Sequence, residues 1–177
     1  DHSGVWSAPY RKAGWAVLQF DTKLSAGDDI MKLSGPRIVE QINREVSGRW
    51  SVVGIMMAPP CTDFASSGAA WFKKKDADGT TEKSVKLVRK ALALKDYFKP
   101  DWWVLEQPVG RILRLVPELG IPLLRFHPCD YGDPYTKRTV LYGRFNTDLP
   151  RKPVEPVIYE TSTGKRGSWY WAHLGGK

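Results

Sequence analysis

A chain of 177 residues fits one domain that can bury about 70% of the surface its unfolded form exposes, and no internal repeat or low-complexity tract marks a second unit. Lys and Arg outnumber Asp and Glu by 27 to 19, a formal charge of +8, so the long-range field suits a polyanionic partner. Two cysteines without a signal-like start exclude a disulfide scaffold and point to a reducing compartment, the cytosol by default; no apolar run nears the ~20 residues of a membrane helix, and no Cys/His spacing suits zinc.

The chain opens at Asp1 without Met and stops on Gly176-Lys177, so both ends read as trimmed from a longer product. Residues 6–13 form a short helix ended by Gly14, and 16–21 form an apolar strand that finishes on the carboxylate of Asp21. Pro36 opens a second helix to about Val46, with Ile38, Val39 and Ile42 on one face, and it feeds the buried strand 52–57. Thr80 or Thr81 caps a long helix to about Phe98, whose inner stripe is Val85, Val88, Leu92 and Leu94. The strand 102–106 again ends on a carboxylate, Glu106. A short helix over 109–115 and strands at 123–126 and 139–142 follow, and the Pro- and Gly-rich residues from Phe145 give no definite element. This alternation predicts an α/β domain with a twisted, largely parallel sheet and helices on both faces, whose function collects on loops at the carboxyl edge.

Three strand ends carry polar or reactive groups: Asp21, Cys61 and Glu106. Cys61 stands behind Pro59 and Pro60, which lack amide donors, stop the ladder and fix the loop's exit path. A thiol there reads either as a nucleophile or as a packed, inert cysteine. Asp21, together with the small-residue turn Ser3-Gly4, suits ribose hydroxyls and close backbone approach to a ligand. Asp28-Asp29-Ile30 reads as an adenine-amine contact or as an exposed acidic turn. Glu106, closing a doubly aromatic strand, should be partly desolvated, which raises a carboxyl pKa and equips it to deliver a proton. Lys73-Lys74-Lys75, beside Trp71 and Phe72, is compatible with a phosphate-binding loop or a solvated surface loop. Arg151, Lys152, Lys165, Arg166, Trp169, Tyr170 and Trp171 mix cations with stacking surfaces, as nucleic-acid contacts or as packing of the tail. Cys129 reads as structural.

Pro59-Pro60-Cys61 and Glu106-Gln107-Pro108-Val109 resemble, in order and spacing, the Pro-Cys and Glu-Asn-Val motifs of cytosine-5 DNA methyltransferases, with Gln107 where Asn is usual. Ser3-Gly4-Val5-Trp6 is similar to the end of that family's S-adenosylmethionine loop, and Asp21 and Asp29-Ile30 to its next two cofactor motifs. Residues 130–138 are similar to its basic motif, where Lys137 and Arg138 align equally well. The resemblance covers residues 1–143, as a catalytic domain without its first strand. It implies a Rossmann-like methyltransferase fold and S-adenosyl-L-methionine held by Ser3, Gly4, Trp6, Asp21, Asp29, Ile30 and Pro59. It also implies Cys61 as nucleophile, Glu106 as the group on ring nitrogen 3, and Lys137 or Arg138 on the cytosine carbonyl. The partner implied is DNA, with tRNA as the alternative of the family's RNA branch and a silent nucleic-acid-binding module as another. Residues 144–177 form a short tail where the family usually carries a large target-recognition domain, as in small members borne by phages.

Overall fold

In a computed structural model of the chain, residues 3–160, 164 and 166–168 are described. Helix α1 (Ala8–Lys12) and helix α2 (Gly35–Glu45) precede strand β1 (Gly54–Met57). A 3-10 turn (Ser66–Trp71) runs into helix α3 (Phe72–Ala77), and the long helix α4 (Thr80–Phe98) leads to strand β2 (Trp102–Pro108). Helix α5 (Ile112–Leu115), strand β3 (Leu124–Phe126) and strand β4 (Thr139–Arg144) complete the sheet, and β5 (Ile158–Glu160) with β6 (Arg166–Ser168) makes a separate antiparallel hairpin.

The sheet has four strands in the order β1-β2-β4-β3. β1 and β2 are parallel, whereas β4 runs antiparallel to both its neighbours. The largely parallel sheet expected from the alternation is therefore a mixed one. β1, β2 and β3 all run the same way, and β4 is inserted against them. Nothing local in Thr139-Val140-Leu141-Tyr142 distinguishes the two directions, because an apolar strand buried on both faces reads alike in either.

The expected strand over 16–21 is another departure, since these residues join no ladder. A side chain supplies what a neighbouring strand would: the Arg11 guanidinium donates to the Val17 carbonyl at 2.9 Å and to Gln19 Oε1 at 2.8 Å. Leu18 and Phe20 still turn inward, packing with Ile38 and Ile42 of α2 and the end of α4 in a small second core. The main core joins Val85, Val88 and Leu92 of α4 to Met57, Leu105 and Val140 of the sheet. At the start of α4 neither threonine caps: Gly79 takes the N-cap position in a left-handed conformation, and the Asp78 carboxylate accepts from the Thr80 amide at 3.0 Å. Lys73, Lys74 and Lys75, expected on a loop, lie in helix α3.

The tail folds back over the segment between β3 and β4. Lys152, Val154 and Val157 amides donate to the carbonyls of Asp130, Cys129 and Pro134 at 3.1, 2.9 and 2.8 Å. The strands of the short hairpin are mostly exposed, so no apolar alternation in the sequence marks them. Lys165, Trp169, Tyr170 and Trp171 lie outside the described residues. No helix among the described residues is long and apolar enough to cross a membrane.

Candidate active site

Register decides what the sheet edge presents. Met57, the last residue of β1, pairs with Leu105, so β2 continues three residues further and lays Glu106, Gln107 and Pro108 alongside the chain leaving β1. β4 begins opposite the end of β2, with Thr139 facing Pro108, so the residues just before β4 arrive at the same edge. Cys61, Glu106 and Lys137 are thereby brought together from three segments distant in sequence.

Lys137 Nζ lies 3.1 Å from Glu106 Oε1, and both side chains are largely buried, 17% and 15% exposed. The Cys61 thiol is half-buried and feels both: the Lys137 ammonium favours the thiolate, and the carboxylates of Glu106 and Asp63 oppose it. Burial is the largest influence, and the net effect pushes the thiol above its ordinary value. Lys137 thus offsets part of the burial effect without reversing it. Glu106 is partly desolvated, as its place at the end of an aromatic strand leads one to expect, and it is held in an ion pair. Of the two basic residues that alignment left equivalent, Lys137 faces Glu106, while Arg138 is exposed and lines a neighbouring cleft with Arg125 and Arg151.

The loop carrying Cys61 is pinned at several points. Gln107, fully buried, donates through Nε2 to the Pro59 carbonyl at 2.7 Å, so the glutamine in place of asparagine reaches across from β2 to the Pro-Pro segment. The Cys61 carbonyl accepts from the Phe64 and Ala65 amides, both at 3.0 Å, and Phe64 is wholly buried in the main core. Ala65 then bridges to Gly110, where a Cβ would stand 1.9 Å from the Phe64 carbonyl oxygen, so only glycine permits the approach.

Beneath the loop lies a polar network that the sequence did not disclose. Asp63, 4% exposed, accepts from Lys75 Nζ at 2.6 Å and from the Ser84 hydroxyl of α4. Arg111, 8% exposed, donates to the Asp63 carbonyl, to Asp76 Oδ2 and to the Thr81 hydroxyl, each at 2.8 Å, and its guanidinium stacks 3.6 Å from the Phe72 ring centre. Charged residues embedded in apolar runs, Asp63 before Phe64-Ala65 and Arg111 before Ile112-Leu113, were the available signal. Lys75 is accordingly turned inward to a carboxylate, and only Lys73 and Lys74 of the basic trio are exposed, Lys74 standing 6.0 Å from the exposed Trp71 ring centre.

The residues linked by resemblance to a cofactor lie, apart from Pro59, in the segment before α2. Gly4 takes φ +72° and its carbonyl accepts the amides of Ser7 and Ala8, while Ser3 and half-buried Trp6 flank it. This turn lies against Gln19, whose amide would be 3.7 Å from a Cβ at Gly4, and Asp21 follows two residues on. The Asp21 and Asp29 carboxylates each accept an amide two residues ahead, Lys23 at 2.9 Å and Met31 at 3.0 Å. Ile30 packs against both cores and so ties this segment to the end of β1, where Pro59 is half-buried. Among the described residues no group of three or more His, Cys, Asp or Glu side chains could hold a metal ion. Cys129 is half-buried, its amide donating to the Tyr135 carbonyl at 3.1 Å.

No family model and no curated protein matches the chain.

Proposed function

We propose that the protein transfers a methyl group from S-adenosyl-L-methionine to carbon 5 of cytosine in DNA through a covalent cysteine adduct. The carrying observation is the meeting of Cys61, Glu106 and Lys137 at one sheet edge, a nucleophile beside a proton-carrying ion pair. The Rossmann-like reading of residues 1–143 belongs to the same proposal. It is supported by three strands running one way, two of which carry Cys61 and Glu106 at or just beyond their carboxyl ends.

Carbon 5 of cytosine is a poor nucleophile, and the chain's own groups overcome this. The target base leaves the stack and enters beside Cys61. The Cys61 thiolate forms a bond to ring carbon 6, and the displaced π electrons are accommodated as the Glu106–Lys137 pair delivers a proton to ring nitrogen 3. Carbon 5 becomes enamine-like and nucleophilic. S-adenosyl-L-methionine, when bound, supplies the electrophilic methyl group that carbon 5 takes. The carbon 5 proton then passes to water, its bonding electrons restore the ring double bond, the carbon–sulfur bond breaks, and Cys61 departs as thiolate while the nitrogen 3 proton returns to the pair. Asp21, close to the Gly4 turn, would hold ribose hydroxyls; Ser3, Trp6, Asp29, Ile30 and Pro59 would enclose the rest of the cofactor.

The test is a duplex carrying 5-fluorocytosine, in which fluorine blocks the final proton loss and leaves the Cys61–carbon 6 bond in place. With cofactor present, mass spectrometry should find the nucleotide on the peptide containing Cys61. Cys61→Ser should abolish the adduct and the formation of 5-methylcytosine while cofactor affinity stays within a few-fold. An active Cys61→Ser variant would sink the covalent mechanism, and label found only in 5-methylcytidine of tRNA would move the substrate to RNA.

A further inference from the structure

Beside the candidate active site, a cleft of about 310 Å³ is lined by Arg125 of β3, Arg138 before β4 and Arg151 of the tail, with Val109, Phe126 and Thr139 at its floor and walls. The three arginines come from separate segments. Among the described residues none of them forms an ion pair, whereas Arg89, Arg111 and Arg166 each have a carboxylate partner. The acidic group in the cleft is Asp130, and its carboxylate already accepts the His127 amide at 2.7 Å. Three like charges facing one space repel one another, and an anion entering that space relieves the repulsion. Planar guanidinium forks suit the paired oxygens of a phosphate.

Position narrows the ligand further. Arg138 adjoins Lys137, and its carbonyl accepts the Val109 amide at 2.8 Å, two residues beyond Gln107, so the cleft lies at the same sheet edge as Cys61 and Glu106, around it on the opposite face. Its size admits a phosphodiester linkage and sugar edge rather than a duplex. We infer that the Arg125–Arg138–Arg151 cleft seats the phosphodiester backbone of the DNA strand that delivers its cytosine to Cys61. The inference rests on the proposed function and adds the path of the strand across the surface, with the tail, through Arg151, as part of the binding face.

The experiment is the salt dependence of binding to a fluorescein-labelled 20-base-pair duplex, measured by anisotropy. Each phosphate contact released should lower the slope of log K against log salt by about one. Arg125→Ala and Arg151→Ala should each show that drop, Arg125→Lys and Arg151→Lys should keep the wild-type slope, and Arg49→Ala, an exposed cation elsewhere on the surface, should also keep it. Circular dichroism on each variant confirms folding, and Arg125→Gln and Arg151→Gln, which remove the charge but keep much of the side chain, should show the same drop and keep the test valid where an alanine variant does not fold. Unchanged slopes in both alanine variants, with wild-type binding intact, would overturn the cleft and leave the proposed activity standing. Wild-type protein that neither binds the duplex nor forms 5-methylcytosine would overturn both. Binding of RNA but not DNA would overturn the strand assigned here.

Discussion

Lys137 Nζ and Glu106 Oε1 are 3.1 Å apart although thirty-one residues separate them, and the pair exists because β4 enters the sheet antiparallel to β2. A parallel β4 would carry Lys137 to the opposite edge. The direction of one strand therefore decides whether the cysteine has a cation for a neighbour.

That neighbour sets the pH dependence of the thiol. Cys61 titrates above its ordinary value, so the thiolate fraction, and methyl transfer with it, should rise as pH increases from neutral into the alkaline range. Lys137→Met removes a nearby charge that favours the thiolate and should move this rise to higher pH; Glu106→Gln removes an opposing charge and should move it lower. The rate of iodoacetamide alkylation of Cys61 against pH, in a Cys129→Ser background, reads both shifts without requiring catalysis. Shifts of the reverse sign would show that the two groups do not face the thiol.

Gln107→Leu separates positioning from stability. The substitution loses the bond to the Pro59 carbonyl but also removes Gln107 Oε1, a buried oxygen with no hydrogen-bond partner among the described residues. The two effects offset, so unfolding free energy in urea should change by no more than about 1 kcal/mol. The Pro-Pro-Cys loop loses its tie to β2, and methyl transfer should fall by about tenfold or more. Equal losses of stability and activity would assign Gln107 a structural role only.

Asp63→Ala strands Lys75 and the Ser84 hydroxyl beneath the loop. Removing one member of a buried pair costs several kcal/mol; with Lys75 25% exposed, the loss should be about 3 kcal/mol by denaturant titration. The companion change Lys75→Met in the Asp63→Ala background should recover part of it, as no unpaired charge then remains.

Gly110→Ala tests the close approach directly. Its Cβ has no room beside the Phe64 carbonyl, so the Ala65–Gly110 bridge should open, at a cost of about 1–3 kcal/mol in thermal or urea unfolding. A variant with wild-type stability would mean that the two backbones are further apart than described.

Much of the fold was legible because it is written locally. The apolar stripe Val85, Val88, Leu92 and the runs ending at Met57 and Glu106 mark α4, β1 and β2 by period and length, and Pro36 marks the start of α2. The segment 16–21 shows the limit of such reading, because strand composition forms a strand only where a partner offers hydrogen bonds, and Arg11 took that place. Within the site, Cys61 and Glu106 could be read from their positions at strand ends. The choice of Lys137 over Arg138 could not, since neighbouring residues on an extended segment point to opposite faces and only the register with β2 says which face holds Glu106. Lys75 in a basic trio, and Asp63 and Arg111 in apolar runs, were hidden for the same reason: their partners lie elsewhere in the chain.

The ties that hold the thiol-bearing loop, Pro59 to Gln107 and Asp63 to Arg111, each span forty-eight residues and enclose all of α4. Contacts of such separation form only after the intervening chain has closed, so the loop gains its shape late in folding. During synthesis the segment around Cys61 emerges well before β2 and Arg111 exist to secure it, and a ribosome-bound chain ending near residue 100 would carry the Cys61 thiol on an unanchored loop. Thiol reactivity measured on stalled nascent chains of increasing length should therefore fall once residue 111 has cleared the exit tunnel.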